Sequence, residues 1–186
     1  ESNIPHEVVK RSVPIETVWI EPKDARTYEM VISRIKKADM IVLVPGSLFT
    51  SIIPNLLVQE FTDAINNANA PVFYIANIMT QPGETDGFSA FDHLNALLKH
   101  TAIKHVDYLV ANSGQIDAEV ASRYQRESAE LVMISDSEKM ALKSMGIALI
   151  EGDFVEEKKG YVRHDASAIS HHMIARVEKV YEGSDE

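Results

Sequence analysis

Apolar residues along this chain fall into short unbroken runs, separated by longer segments in which they recur at helical spacing. Residues 40–44 (Met-Ile-Val-Leu-Val) and 72–76 (Val-Phe-Tyr-Ile-Ala) have no polar position at all, as strands buried on both faces do. Residues 108–111, 131–134 and 147–150 read the same way, and Thr17 to Ile20 reads as a short further strand. Between them, Asp24 can cap a helix over 25–37 with Tyr28, Val31, Ile32 and Ile35 on one face. A second helix spans 51–67, carrying Ile53, Leu57, Val58, Phe61 and Ile65 at helical spacing, with Pro54 tolerated in its first turn. Ser89 and Asp92 resemble a capping box with Asp in place of Glu, and the helix they open turns Leu94, Leu97 and Leu98 inward. Helices are predicted over 117–127, over 136–144 with Gly146 as the stop, and over 166–181. Trp19 and the methionines are expected in or near the core.

Strand–helix alternation of this kind predicts an α/β fold: a mostly parallel, Rossmann-like sheet with helices on both faces. No repeat, low-complexity segment or linker interrupts it, so residues 1–186 are read as one domain or the carboxyl-terminal portion of one. In such sheets ligands sit beyond the carboxyl ends of the strands, at a switch in strand order. The residues after each strand are therefore the place to look for chemistry.

Charge and composition narrow the chemistry. The 186 residues carry 18 Lys plus Arg against 28 Asp plus Glu, a net charge of −10, and no cysteine. Zero cysteine excludes a disulfide scaffold, thiolate zinc, iron–sulfur clusters and a cysteine nucleophile, and fits the cytoplasm. The acidic balance argues against a nucleic-acid partner. The run 40–44 is far too short for a bilayer, so no membrane insertion is expected. The opening Glu-Ser-Asn-Ile-Pro lacks both a signal-peptide pattern and an initiator Met, which reads as a processed chain or a fragment.

Two loops stand out. Pro45-Gly46-Ser47-Leu48-Phe49-Thr50-Ser51 links a buried strand to a helix. Gly46 lets a ligand approach the backbone, and Ser47, Thr50 and Ser51 with the helix amides suit a phosphate. The alternative is an ordinary hydroxyl-rich helix cap. Neither a Walker A ending nor a Gly-x-Gly-x-x-Gly fingerprint is present. The second loop, residues 77–87, is long for a strand–helix link. It offers Asn77, Thr80 and Gln81 for sugar or base recognition. Glu84 and Asp86 are the candidate supports for a ribose or Mg²⁺, the alternative being ordinary turn acids. No cofactor is required by these residues.

Neither loop holds a Lys or Arg, so the cation for an anionic ligand must come from elsewhere. Arg163, in Arg163-His164-Asp165 before the last helix, is the best candidate, with Asp165 as the helix cap. His164 has no nucleophile near it in sequence. The pairs His93/His100 and His171/His172 read as surface or boundary histidines. No metal ligand set and no catalytic residue is identifiable.

The string from Ala38 through Val58, containing Val-Pro-Gly-Ser-Leu-Phe-Thr-Ser, closely resembles the gluconeogenesis-factor family, the YvcK-like proteins. So do the segment Asn-Ile-Met-Thr-Gln-Pro-Gly-Glu-Thr-Asp-Gly at 77–87 and the triplet Arg163-His164-Asp165. That family is similar in fold to the CofD-like 2-phospho-L-lactate transferases. The resemblance implies a cytoplasmic bacterial protein linked to carbon metabolism, cell shape and the cell envelope, with a UDP-sugar as its small-molecule partner. Self-association into a homo-oligomer is left open. Family members carry a Gly-rich loop well upstream, which this sequence lacks, so the chain is expected to be the carboxyl-terminal part of a longer protein. Val44 replaces an expected Gly, narrowing the approach to the loop, and Phe49 replaces a common Tyr. Three functions compete: a nucleotide-sugar-binding regulator without chemistry of its own, a CofD-like phosphotransferase, and a nicotinamide oxidoreductase. The absent fingerprint makes the last the weakest, and the regulator is preferred.

Overall fold

The computed structural model describes residues 14–182, with side chains to residue 178. Four strands form a parallel sheet in the order β1-β2-β3-β4: β1 Ile41–Leu43, β2 Val72–Ile75, β3 Tyr108–Asn112 and β4 Ala148–Gly152. Register follows the apolar runs, with Ile41 opposite Val72, Phe73 opposite Tyr108 and Tyr108 opposite Ala148. The order is sequential, so the described strands contain no switch in strand order.

Alternation along the strands builds two cores. Val72, Tyr74, Leu109 and Ala111 point into one, which is closed by the connecting helices α2 (Ile53–Leu56), α3 (Gln59–Asn66), α4 (Ala90–His100) and α6 (Asp136–Ser144). Phe73, Ile75, Val110 and Ile150 point to the other face, where Phe154, Ile169 and Met173 cover them. Ile169 and Met173 come from the last helix, α7 (Ala166–Glu182). Helices thus lie on both faces, as an all-parallel sheet demands.

Local chemistry sets the element ends. The Ser89–Asp92 capping box is present, with Asp92 N–H to Ser89 Oγ and Ser89 N–H to Asp92 Oδ2. Asp117 caps α5 (Ala118–Arg126), and Ser135 with Glu138 makes a second capping box for α6. Gly146 follows α6 at φ +76°, the left-handed turn that a glycine stop supplies.

Several expectations are corrected. The first helix, α1, spans only Glu29–Ile35, because residues 26 and 27 are held against α3: Arg26 pairs with Glu60, and Thr27 N–H donates to the same carboxylate at 3.0 Å. No residue of α1 is buried; Tyr28 and Val31 are exposed. The helix expected over 51–67 is a π-helical turn, Leu48–Ile52, followed by α2 and α3. The break falls at Val58, extended at φ −74°, ψ 110°, where buried Thr62 donates its hydroxyl to the Leu56 carbonyl at 2.7 Å. Residues 17–20 form no strand, and Trp19 is 71% exposed. Of the methionines, Met173 is buried, whereas Met30, Met133, Met140 and Met145 are exposed. Residues 131–134 make one antiparallel bridge, Met79 to Leu131, and no strand. An antiparallel hairpin that the apolar pattern does not show, β5 (Val155–Lys158) and β6 (Tyr161–His164), precedes α7.

Candidate functional site

The carboxyl ends of adjacent strands β1 and β2 deliver the two polar loops to one place. The loops are joined there by a reciprocal amide pair: Gly46 N–H donates to Asn77 Oδ1 at 3.1 Å, and Asn77 Nδ2 donates to the Gly46 carbonyl at 2.9 Å. The third wall is the β5–β6 hairpin. His164 at its end donates Nε2–H to the Ala76 carbonyl at 3.0 Å, docking the hairpin on the end of β2. Val162 N–H donates to the Tyr124 hydroxyl at 3.1 Å, fixing the hairpin to α5.

These contacts border an open cavity of about 390 Å³. Pro45, Gly46 and Ser47 form one side, Asn77 to Gln81 the floor, and Tyr124, Val162, Arg163 and His164 the opposite side. Six of the residues expected from sequence therefore converge: Gly46, Ser47, Asn77, Thr80, Gln81 and Arg163. Two do not. Thr50 and Ser51 border a separate hollow with Trp19, Pro54 and Asn55. Tyr124 and Val162 are lining residues that sequence reasoning missed. They come from elements far along the chain, and no local motif marks them.

The hydroxyls of the first loop are engaged otherwise than expected. Glu84, 9% exposed, accepts Ser47 Oγ at 2.7 and 2.9 Å, Thr50 Oγ1 at 3.2 Å and Phe49 N–H at 3.3 Å. Ser47 and Thr50 also touch one another through their hydroxyls. The carboxylate thus closes the amino end of the π-helical turn from inside. Asp86, exposed, accepts Gly83 N–H at 2.8 Å and shapes the turn. Both acids have local partners, and among the described residues no group of three or more His, Cys, Asp or Glu could hold a metal ion. Thr80 is buried and accepts Glu130 N–H at 2.9 Å, tying the floor to the segment after α5.

What remains available in the cavity is a mixed set. Arg163 is exposed, with Nη1 donating to the Val162 carbonyl at 3.0 Å and its guanidinium over the Tyr161 ring at 5.4 Å. Gln81 Oε1 is buried without a hydrogen-bond partner. The His164 imidazole is pushed below its usual pKa by burial, partly offset by its bond to the Ala76 carbonyl. It is neutral at pH 7, with its proton on Nε2. Arg163 is accordingly the full positive charge on the cavity wall.

Two sequence expectations close differently. Val44 is 57% exposed and does not line the cavity, so it does not narrow it. His93 is fully buried, with Nδ1 on the Ser89 carbonyl, and is not a surface histidine. Phe49 is buried too, meeting Phe88 and His100 edge-on.

Comparison with known proteins places this architecture. The chain is 40% identical over 170 residues to the gluconeogenesis factor of Halalkalibacterium halodurans, covering 91% of this chain and 51% of that protein. It is 38% identical over 156 residues to the gluconeogenesis factor of Bacillus subtilis, covering 84% and 48%. A crystal structure of a Bacillus halodurans protein superposes with a TM-score of 0.84 at 39% identity, over 93% of this chain and 53% of that one. The chain spans about half the length of these relatives. No described helix is long and apolar enough to cross a membrane. The model of one family, 2-phospho-L-lactate transferase CofD, matches residues 1–155, and the chain belongs to that family.

Proposed function

We propose that the cavity beyond β1 and β2 binds the diphosphate-bearing part of a nucleotide sugar, a UDP-sugar, and that the protein is a cytoplasmic regulator linked to carbon metabolism, cell shape and the envelope. One observation carries the reading: loops 45–47 and 77–81 and the strand end 162–164, remote in sequence, line one cavity that has amide and hydroxyl groups and one guanidinium. A cavity of about 390 Å³ suits part of such a ligand, whose diphosphate needs the charge that Arg163 brings. The gluconeogenesis-factor names of the relatives supply the metabolic link.

The binding role is preferred over phosphotransfer on the same grounds. His164 is neutral and occupied by Ala76, and Glu84 is occupied by three donors, so no acid–base pair faces an acceptor. Phosphoryl transfer also needs charge neutralisation beyond one arginine. A Mg²⁺ ion would arrive on the ligand's own phosphates, since Glu84 and Asp86 already serve the loop. The CofD-like phosphotransferase is the second reading, favoured by the family match alone.

The test uses a Gly46→Val change. The added Cβ meets the Ile52 side chain, at 3.1 Å from Cδ1, which must give by a few tenths of an ångström, so the variant is checked for folding by circular dichroism before it is titrated. Loss of UDP-sugar binding, with the UDP-sugar recovered intact from prolonged incubation with the parent protein, supports the reading. Unchanged affinity would place the ligand elsewhere, and a phosphate or phosphodiester product would make the protein a transferase.

A further inference from the structure

Between α5 and the turn of the β5–β6 hairpin lies a hollow of about 230 Å³ lined by Glu119, Val120, Arg123, Arg126 and Gly160. Two of these five residues are arginines, in a chain whose net charge is −10. Among the described residues no acid lies within ion-pair distance of either guanidinium: the ion pairs are Arg26–Glu60, Lys139–Asp136 and Lys139–Glu151. Glu119 borders the hollow without reaching them.

Arg123 is held in place rather than left to sample solvent. Its guanidinium stacks over Tyr161 at 5.2 Å and Tyr124 at 5.8 Å. It also lies against the Gly160 backbone so closely that a Cβ there would sit 2.8 Å from Nη1. Gly160 has φ +74°, so the hairpin turn favours glycine. Arg123 Nη2 is buried with no acceptor. Arg126 is exposed, with Nε donating to the Ser122 carbonyl at 3.3 Å. Lys158 and Lys159 precede Gly160 at the hairpin turn.

Two like charges on one hollow repel, and a half-buried guanidinium without a counter-charge is costly. Cation–π contacts position Arg123 but supply no negative charge. Immobilised guanidiniums around a concave surface are what oxyanion recognition requires. We propose that this hollow is a second ligand site, separate from the cleft, that takes a phosphate-type oxyanion on a small molecule. Its size admits a phosphoryl group with little attached. Tyr161 meets both Arg123 and Arg163, so one ring contacts a guanidinium of each site.

Titration of inorganic pyrophosphate at fixed low salt tests this, with the cleft disabled by Arg163→Ala. That protein should still bind pyrophosphate, and adding Arg126→Gln should weaken binding at least ~10-fold. Arg126 is exposed, so the fold is retained, as circular dichroism would verify. Arg123→Lys keeps the charge but loses the planar fork, and should also weaken binding. No binding to the Arg163→Ala protein at about 10 mM pyrophosphate overturns the proposal, as does an Arg126→Gln effect below about twofold. The readout is the difference made by Arg126, which lines this hollow and not the cleft, so the outcome is independent of what the cleft binds.

Discussion

Removing the Glu84 carboxylate should unfasten the cleft from inside. Glu84 is buried, and the donors around it are neutral: the Ser47 and Thr50 hydroxyls and Phe49 N–H. Glu84→Ala leaves these three donors without their acceptor. The two hydroxyls can pair with each other, which limits the loss, but the Phe49 amide cannot turn. A buried donor left unpaired costs ~1–3 kcal/mol, and hydrogen bonds to a charged group contribute ~1.5–3 kcal/mol each, so a net loss of ~2–4 kcal/mol is expected. Glu84→Gln keeps one acceptor oxygen and the side-chain volume, so ~1–2 kcal/mol is expected. Urea unfolding followed by circular dichroism reads both. With a slope of roughly 2 kcal/mol per molar, the alanine midpoint should fall by ~1–2 M and the glutamine midpoint by ~0.5–1 M. The order matters as much as the size, because only a carboxylate role ranks Ala below Gln below Glu. A Glu84→Ala midpoint within about 0.3 M of the parent would refute the claim that this carboxylate organises loop 45–51.

Further predictions rest on separate parts of the fold. Gly114→Ala should destabilise by ~1–3 kcal/mol in the same assay, since its Cβ would lie 2.0 Å from Asp153 Oδ1 and 3.1 Å from the Asp153 backbone; a shift under ~0.3 kcal/mol would contradict it. Burial holds the His93 pKa below its usual value, against the pull of the Ser89 carbonyl and Asp92. The unfolded chain therefore takes up the proton first, so stability should fall as pH drops below about 6.5 and continue falling towards the lower folded pKa. His93→Phe should flatten that dependence below about pH 6.5, and an unchanged slope would remove His93 as a cause.

How much of this was legible in the sequence depends on where the information sits. Buried parallel strands advertise themselves, because both faces must be apolar: β1, β2 and β3 sit within a residue or so of the apolar runs at 40–44, 72–76 and 108–111. Capping boxes are equally local, and Ser89–Asp92 reads directly. The β5–β6 hairpin escaped because only Val162 of its eight strand residues is buried, so no apolar run marks it; its signal is the turn Lys159-Gly160 between alternating residues. Residues 131–134 misled in the opposite sense: Val132 is buried in the core, yet the segment makes a single bridge and no strand. For the cleft, the two loops were readable from their positions after strands. The use made of Ser47 and Thr50 was not, since it depends on Glu84, 37 residues from Ser47 and 34 from Thr50. Tyr124 enters the cavity through its bond to Val162, 38 residues away, which no local pattern shows.

The most direct test of the central claim is calorimetric titration of UDP-sugars, with Arg163 as the probe. The chain spans 51% of the Halalkalibacterium halodurans relative, so the titration is run on this chain and on that longer protein. The longer protein is expected to bind more tightly, because further walls of the cleft can come from its remaining length. In this chain, replacing Arg163 by alanine should cost a charge-assisted phosphate contact of ~1.5–3 kcal/mol, a loss of roughly 10- to 150-fold in affinity. A surface arginine paired only with neighbouring acids would give ~0–1 kcal/mol and leave binding nearly untouched. At least ~10-fold weaker binding of the folded alanine variant is the predicted result; a change below about twofold would contradict a diphosphate site on Arg163.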